Sequence, residues 1–507
     1  MKLKYFSFLF SFFLGFSVLS ADKAVAQNSK PLSVYHNKVG DSLKCTDNEL
    51  VIRCIGQKHG FGKGPSYDAD IRSPKSAIFL PEGEKFYVNS LEGCKTVVYQ
   101  TDSLKKLKVI NHSFPSGKGE LWLPASGYYD FTHYPGGDAK AFQGKPVESA
   151  LSNDGKYLFV PYYRRIFDIN AQDPSALAVI DTDSDEIVLM TETGPLPKMV
   201  TVSNDGNLLA ITHWGDNTVG FLDISDKDPK KWHHLKPITI GKKLNLNYSL
   251  TNSVDRDSGS GYALRGTVFL PGDSIMLVCG MGGQMAIVDT KRMEWLGMVP
   301  ALDRLRHIVL SGNKLYMSRN ATGEVLSMEL DSVLNAINRQ KGITRNFKIG
   351  GIKSVKVGGG ARTLKTSPEG KYIFVACNSS SALYVVDAET MKVIGNIKVD
   401  SYPVGLDVSP NGRLIVVTSQ GRKGGGGNAV NIFEVDYPGL KDFNNRNKEV
   451  IDSESQNSSL SDNVQADQDQ KEESNKMSIT GYGGWIAGGV IVAVALSGAL
   501  YYKFHKA

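Results

Sequence analysis

The strongest constraint on this chain is a ten-residue motif that returns seven times. It is clearest as Leu151-Ser-Asn-Asp-Gly-Lys-Tyr-Leu-Phe-Val, Val202-Ser-Asn-Asp-Gly-Asn-Leu-Leu-Ala-Ile, Thr366-Ser-Pro-Glu-Gly-Lys-Tyr-Ile-Phe-Val and Val408-Ser-Pro-Asn-Gly-Arg-Leu-Ile-Val-Val. Weaker copies begin at Phe79, Phe269 and Leu310. In the clear copies an apolar segment runs into a Ser-x-x-Gly turn, and a second apolar segment leaves it. Pro, Asn, Asp and Gly supply the backbone angles of such a turn, so each copy reads as a β-hairpin. A third apolar segment ending in Asp usually follows, at residues 178–181, 220–223, 286–289 and 384–387, and a fourth comes after a short turn, as at residues 392–397. Four antiparallel strands recurring at a period of roughly 40 residues cannot bury an apolar face alone, but can do so when stacked around an axis. The pattern predicts an all-β fold over residues 71–440, a seven-bladed β-propeller of four-stranded antiparallel blades.

The copies are unevenly spaced, so several blades carry insertions, after Asn111, after Leu235 and between Leu330 and Gly360. Such insertions on a rigid scaffold are where function tends to sit. The last blade shows three strands, ending at Asp436, before a polar stretch begins. An open sheet edge is a liability. Residues 50–55, within an N-terminal segment spanning 27–70, have the apolar character of the missing strand and are expected to close the ring.

The repeated turns and the Val-Val-Asp-x-x-Thr-like segment at 385–390 resemble the YVTN-repeat seven-bladed propellers, relatives of lactonase-type propellers. The resemblance covers residues 71–440 and implies the fold. It implies little about activity, because this architecture hosts binding modules and enzymes alike.

Both ends of the chain read as membrane signals. Lys2 and Lys4, a short apolar run and the small residues Ala24-Val25-Ala26 form a signal peptide over residues 1–26. Residues 441–482 are polar and acidic, with eight carboxylates against Lys471 and Lys476 between residues 449 and 476. They are expected to form a disordered tether. Residues 483–502 are uncharged and apolar, and Lys503 and Lys506 follow in a short basic tail, 503–507. Eighteen helical residues span ~27 Å, enough for a transmembrane helix. The expected localisation is exported and membrane-anchored, with the propeller outside the cytoplasm at the periplasm or cell surface. Cleavage at the tail as a sorting signal is the alternative. Export permits disulfides, and Cys45 with Cys54 is the expected pair, with Cys94 as the competing partner for either. The formal net charge of +6 is too weak to argue for nucleic-acid binding, and a monomer is expected.

Innermost propeller strands line the axial channel, so equivalent positions form rings. Five residues before the turn Ser, or its equivalent, stand Lys75, Val147, Lys198, Arg265, Arg306, Arg362 and Val404. Five of these seven are cationic, where 58 Lys and Arg in 507 residues would place about one by chance. The residues before them, Pro74, Pro146, Pro197, Leu264, Leu305, Ala361 and Pro403, look like strand starts. The expectation is a cationic funnel with Lys75, Lys198, Arg265, Arg306 and Arg362 as ligand-binding residues for an anionic small molecule or polymer. The bland alternative is that these side chains splay into solvent or pair with carboxylates such as Glu148. Arg306-His307 resembles the Pro-Arg-His strand starts of lactonase-type propellers, with Leu305 in place of Pro. That resemblance makes Glu148 and His307 weak catalytic candidates.

A second cluster, Trp122, Tyr128, Tyr129, Phe131, His133 and Tyr134, followed by Tyr162, Tyr163, Arg164 and Arg165, reads as either a binding loop or local core. His213-Trp214-Gly215-Asp216 and His233-His234 lack metal-ligand spacing, so neither a metal nor a cofactor is expected. The leading functional expectation is a tethered ligand- or protein-binding module. The alternatives are a lactonase-type hydrolase and a scaffold subunit of a membrane complex, which would have a protein partner.

Overall fold

The Ser-x-x-Gly turns are built by two devices that the motif itself supplies. The serine hydroxyl accepts a hydrogen bond from the backbone N–H that begins the second strand: Tyr157 to Ser152 and Leu208 to Ser203 at 2.9 Å, Tyr372 to Ser367 at 3.0 Å, and Leu414 to Ser409 at 2.9 Å. The glycine takes a left-handed conformation, as at Gly155 (φ 72°) and Gly412 (φ 71°), where any side chain would be strained.

The computed structural model describes residues 37–444, apart from 48, 132–141, 167, 169, 245–258, 340–344, 422–426 and 442. These form seven antiparallel sheets, the blades of a propeller. Blade one is Pro74–Phe79, Lys85–Ser90, Lys95–Gln100 and Lys106–Asn111. Blades three to six begin with the inner strands Pro197–Val202, Leu264–Phe269, Leu305–Ser311 and Ala361–Thr366, each sheet having four strands in chain order. Blade two is larger, and its inner strand is broken into Phe142–Pro146 and Ala150–Leu151, both paired with Tyr157–Arg165.

Blade seven takes its outer strand from the far end of the chain. Its inner strand Pro403–Val408 pairs with Leu414–Ser419, which pairs with Ala429–Asp436. Val51–His59 then pairs antiparallel with Ala429–Asp436, Val51 opposite Asp436 and His59 opposite Ala429. Ser42–Lys44 adds a short fifth strand. The inner strands of blades seven and one lie side by side, which closes the circle.

Most apolar clusters sit between blades, and one lies within the enlarged blade two. Phe374 and Leu383 of blade six pack with Leu406 and Phe433 of blade seven and with Leu50, Ile52 and Cys54 of the N-terminal segment. The insertion after residue 330 carries the helix Leu330–Arg339, which buries Leu330 and Val333 against blades four and five.

The expected disulfide is corrected: all five cysteines are free and buried thiols. Lys44 lies opposite Val51 and Ser42 opposite Arg53 in the N-terminal hairpin. The Cys45 N–H bonds the Leu50 carbonyl, and the Cys54 N–H bonds that of Asp41. Cys54 therefore lies four residues along the strand from the partner of Cys45, roughly 13 Å away, too far to bridge. Burial pushes both thiols up to about 12. The leader at 1–26 and the apolar stretch at 483–502 lie outside the described residues. Among the described residues no helix is long and apolar enough to cross a membrane.

Candidate functional site: a cationic channel mouth

Six of the seven aligned positions share one irregularity, repeated at the start of the inner strand. Directly before the inner strand stands a left-handed residue: Ser73 (φ 52°), Leu196 (φ 54°), Ala263 (φ 52°), Arg304 (φ 53°), Gly360 (φ 77°) and Tyr402 (φ 60°). Five of these six are not glycine, and each costs roughly 1–2 kcal/mol in that region. Two residues later the pairing with the second strand slips. Pro74 faces Ser90 while Ser76 faces Asn89, so Lys75 is the extra residue of a bulge. Lys198, Arg306 and Val404 are bulged in the same way, and Arg265 and Arg362 lie inside a two-residue slip. A bulge re-aims a side chain out of the sheet face, here toward the axis.

The preceding blade then holds the bulged residue in place. Thr418 donates its hydroxyl to the Lys75 carbonyl (3.2 Å), Ser76 to that of Val147 (2.8 Å), Thr212 to that of Arg265 (3.2 Å) and Thr363 to that of Val404 (2.7 Å). Ser318 donates to the Arg362 carbonyl. In blade two the irregularity widens into the break at residues 147–149. There Asn89 of blade one donates to the Glu148 carbonyl (3.1 Å) and to the Ser149 hydroxyl (2.8 Å).

Four of the five cations converge. Lys75 and Arg265 reach the same oxygen of Glu148, each at 3.8 Å. Arg362 lies 6.0 Å from the Tyr402 ring centre and hydrogen bonds its hydroxyl. Arg306 donates to the Met281 sulfur at 3.1 Å. Among the described residues no carboxylate lies within 4 Å of Arg306 or Arg362. Lys198 stands to one side, 3.9 Å from the Tyr163 ring centre and 5.1 Å from that of Trp214, whose ring also lies 5.0 Å from the Arg265 guanidinium.

Burial and the crowding of positive charge lower the proton affinity of the cations. Burial, then Arg362, pushes Lys75 well below the usual amine range, with Arg265 and Arg306 adding and Glu148 opposing. Burial and the neighbouring guanidiniums also lower Arg306, and bring Arg362 down to about 10. The four inward cations are therefore buried rather than splayed into solvent, and two of them, Lys75 and Arg265, pair with Glu148. One step further along the strands the charges do balance, with Lys365 paired to Asp407 at 3.0 Å.

The catalytic candidates are placed less favourably. Glu148 is in the mouth but held between two cations. His307 is buried, and burial followed by Lys365, Arg265 and Arg306 lowers it to about 3. The aromatic cluster divides. Trp122, Phe131 and Tyr162 pack together with Phe142, Arg165 covers Phe131 and Arg164 bonds the Asp168 carbonyl. His133 and Tyr134 lie outside the described residues. Tyr128 and Tyr129 border a cleft of about 530 Å³ with Asp130, Asp173, Asp216 and Lys243, so its wall is more acidic than basic. His213 and His234 are buried core groups, lowered by burial to about 3 and about 4. Among the described residues no group of His, Cys, Asp and Glu is arranged to hold a metal ion. Tyr163 was singled out within the aromatic cluster; Trp214, Tyr402 and Met281 were not legible as partners of the cations. Their signal was there in part, since Tyr402 directly precedes a strand start.

By fold the chain is a seven-bladed β-propeller with a charged axial mouth. No protein-family profile matches it. Antigen Lp49 of Leptospira interrogans is 25% identical over 153 residues, covering 27% of this chain and 30% of that protein. A chain of hydrazine synthase from Kuenenia stuttgartiensis has a TM-score of 0.51 at 12% identity, covering 74% of this chain and 99% of that one. That likeness concerns fold alone.

Proposed function

We propose that this protein is an extracytoplasmic binding module of the YVTN-repeat type, tethered by its C-terminal apolar segment, whose channel mouth takes a small anionic ligand. One observation carries the reading: Lys75, Arg265, Arg306 and Arg362 converge, and among the described residues no carboxylate lies within 4 Å of Arg306 or Arg362. Burying cations without enough counter-charge is costly, and an anion of carboxylate or phosphate type would relieve that cost through paired guanidinium hydrogen bonds. The hydrolase reading draws less support. A histidine lowered to about 3 is a weak base at neutral pH.

Calorimetric titration of the full chain with oxalate and inorganic phosphate tests the proposal. At least one should bind, and the Arg306→Gln/Arg362→Gln double variant should weaken binding by at least about tenfold, roughly 1.4 kcal/mol. Equal affinity in a double variant whose thermal midpoint is unchanged would remove the channel mouth as the site. Fractionation with and without residues 483–507 tests the tether, which requires release of the truncated chain from the membrane.

A further inference from the structure

The channel mouth holds one amine among guanidiniums, and the two are not equivalent chemically. Lys75 sits on the bulge of blade one with its side chain 6% exposed, and Thr418 fixes its carbonyl. The groups facing it are Glu148 from the break in blade two, Arg265 from blade four, Arg306 from blade five and Arg362 from blade six. We propose that Lys75 is a reactive amine that condenses with the carbonyl of a small α-oxo acid, whose carboxylate the three arginines hold. This rests on the reading of the mouth as an anion site and adds a covalent step to it.

The geometry supplies each part such a step needs. Guanidiniums grip a carboxylate in two-point fashion, and an α-oxo acid carries its carbonyl carbon one bond from that carboxylate. Glu148 lies 3.8 Å from the Lys75 amine, close enough to carry protons after a small side-chain movement. A lysine among other cations keeps a larger neutral fraction, which is the nucleophilic form. The burial and the arginines that depress Lys75 act in that direction.

In the step itself, the nitrogen lone pair forms the C–N bond and the carbonyl π electrons move to oxygen. The two nitrogen protons pass in turn through Glu148 to that oxygen. It departs as water, leaving a C=N bond. No electron is gained or lost.

The test uses the full chain, glyoxylate as probe and cyanoborohydride as reductant, which traps the C=N bond as carboxymethyl-lysine. Peptide mapping then compares Lys75 with the exposed Lys156 and Lys356. Labelling of Lys75 should be at least about tenfold faster than at either exposed lysine. It should saturate with glyoxylate, and oxalate, which binds but cannot condense, should suppress it. Lys75→Arg should lose the adduct while labelling at Lys156 and Lys356 stays unchanged. If Lys75 labels no faster than the exposed lysines while oxalate binds normally, the reactive-amine proposal is overturned and the anion site stands. If neither oxalate nor glyoxylate binds the wild-type chain, the anion site falls and this proposal with it.

Discussion

Glu148 balances two buried cations at once, so replacing it separates two effects that usually move together. Its partners Lys75 and Arg265 keep side-chain exposures of 6% and 8%, and Glu148 itself 15%. Removing one partner of a buried pair leaves an uncompensated charge. Glu148→Gln should therefore lower unfolding free energy by about 3–5 kcal/mol, while tightening anion binding because the competing carboxylate is gone. Urea melts with and without 10-fold excess oxalate over its measured Kd would read both. A variant that loses stability and affinity together would show Glu148 to be a ligand contact instead. Asp400 makes a second residue-scale case. Burial raises it from 3.8 to about 7, with a hydrogen bond from Asn431 opposing. A raised folded value means that the fold holds a proton which the unfolded chain releases. The wild type should thus lose stability as pH rises from 4 through 7. Asp400→Asn should remove that loss, gaining on the order of 4 kcal/mol at pH 8 and less than half of that at pH 5. A gain of the same size at both values would refute the titration account.

At the scale of elements, the unit that matters is the bulge and the hydroxyl that clasps it from the neighbouring blade. Thr418 and Thr212 donate to the carbonyls of Lys75 and Arg265. Thr418→Val and Thr212→Val keep the shape and remove the donor, so each should cost about 1 kcal/mol. The two lie in blades seven and three, and their costs should add in the double variant. Anion affinity should fall in step, because each clasp fixes one cation. Unchanged affinity alongside the stability loss would mean that the cations hold their places without the clasps. These elements also mark how far sequence reading reached. The hairpin turns were legible because Ser152, Gly155 and their equivalents act within a few residues of each other. Counting back from the turn found the cations because the bulge recurs at one fixed distance in six blades. The bulges themselves, and the packing of Trp214 and Tyr163 against the cations, were not legible. Both depend on which strand or blade lies alongside, and local pattern does not carry that. Nor was the Cys45–Cys54 separation, which the hairpin register decides.

At the scale of the whole molecule, the mouth exists only if the circle is closed, and the closure joins opposite ends of the described chain. Lys75 lies on blade one, while Thr418, which clasps it, lies on blade seven. Ser73, the strained residue before blade one, donates its N–H to the Asn428 side-chain oxygen (2.6 Å), and Asp407 accepts from the Phe79 N–H (2.9 Å). Blade seven in turn depends on Val51–His59, which pairs with Ala429–Asp436 and buries Ile52 and Cys54 against Phe433 and Val435. Ile52→Ala should cost about 2–4 kcal/mol as a buried large-to-small change. Deleting residues 42–59 should cost more, since it also exposes one edge of Ala429–Asp436. The deletion should weaken oxalate binding as well, although it removes no cation of the mouth. A synthetic peptide of residues 41–60 added in trans should restore both the urea midpoint and the affinity, because the groove it fills is otherwise complete. Full affinity in the deleted chain would mean that blades one and seven stay together without the N-terminal strand, and the mouth would then be held by the inner-strand contacts alone.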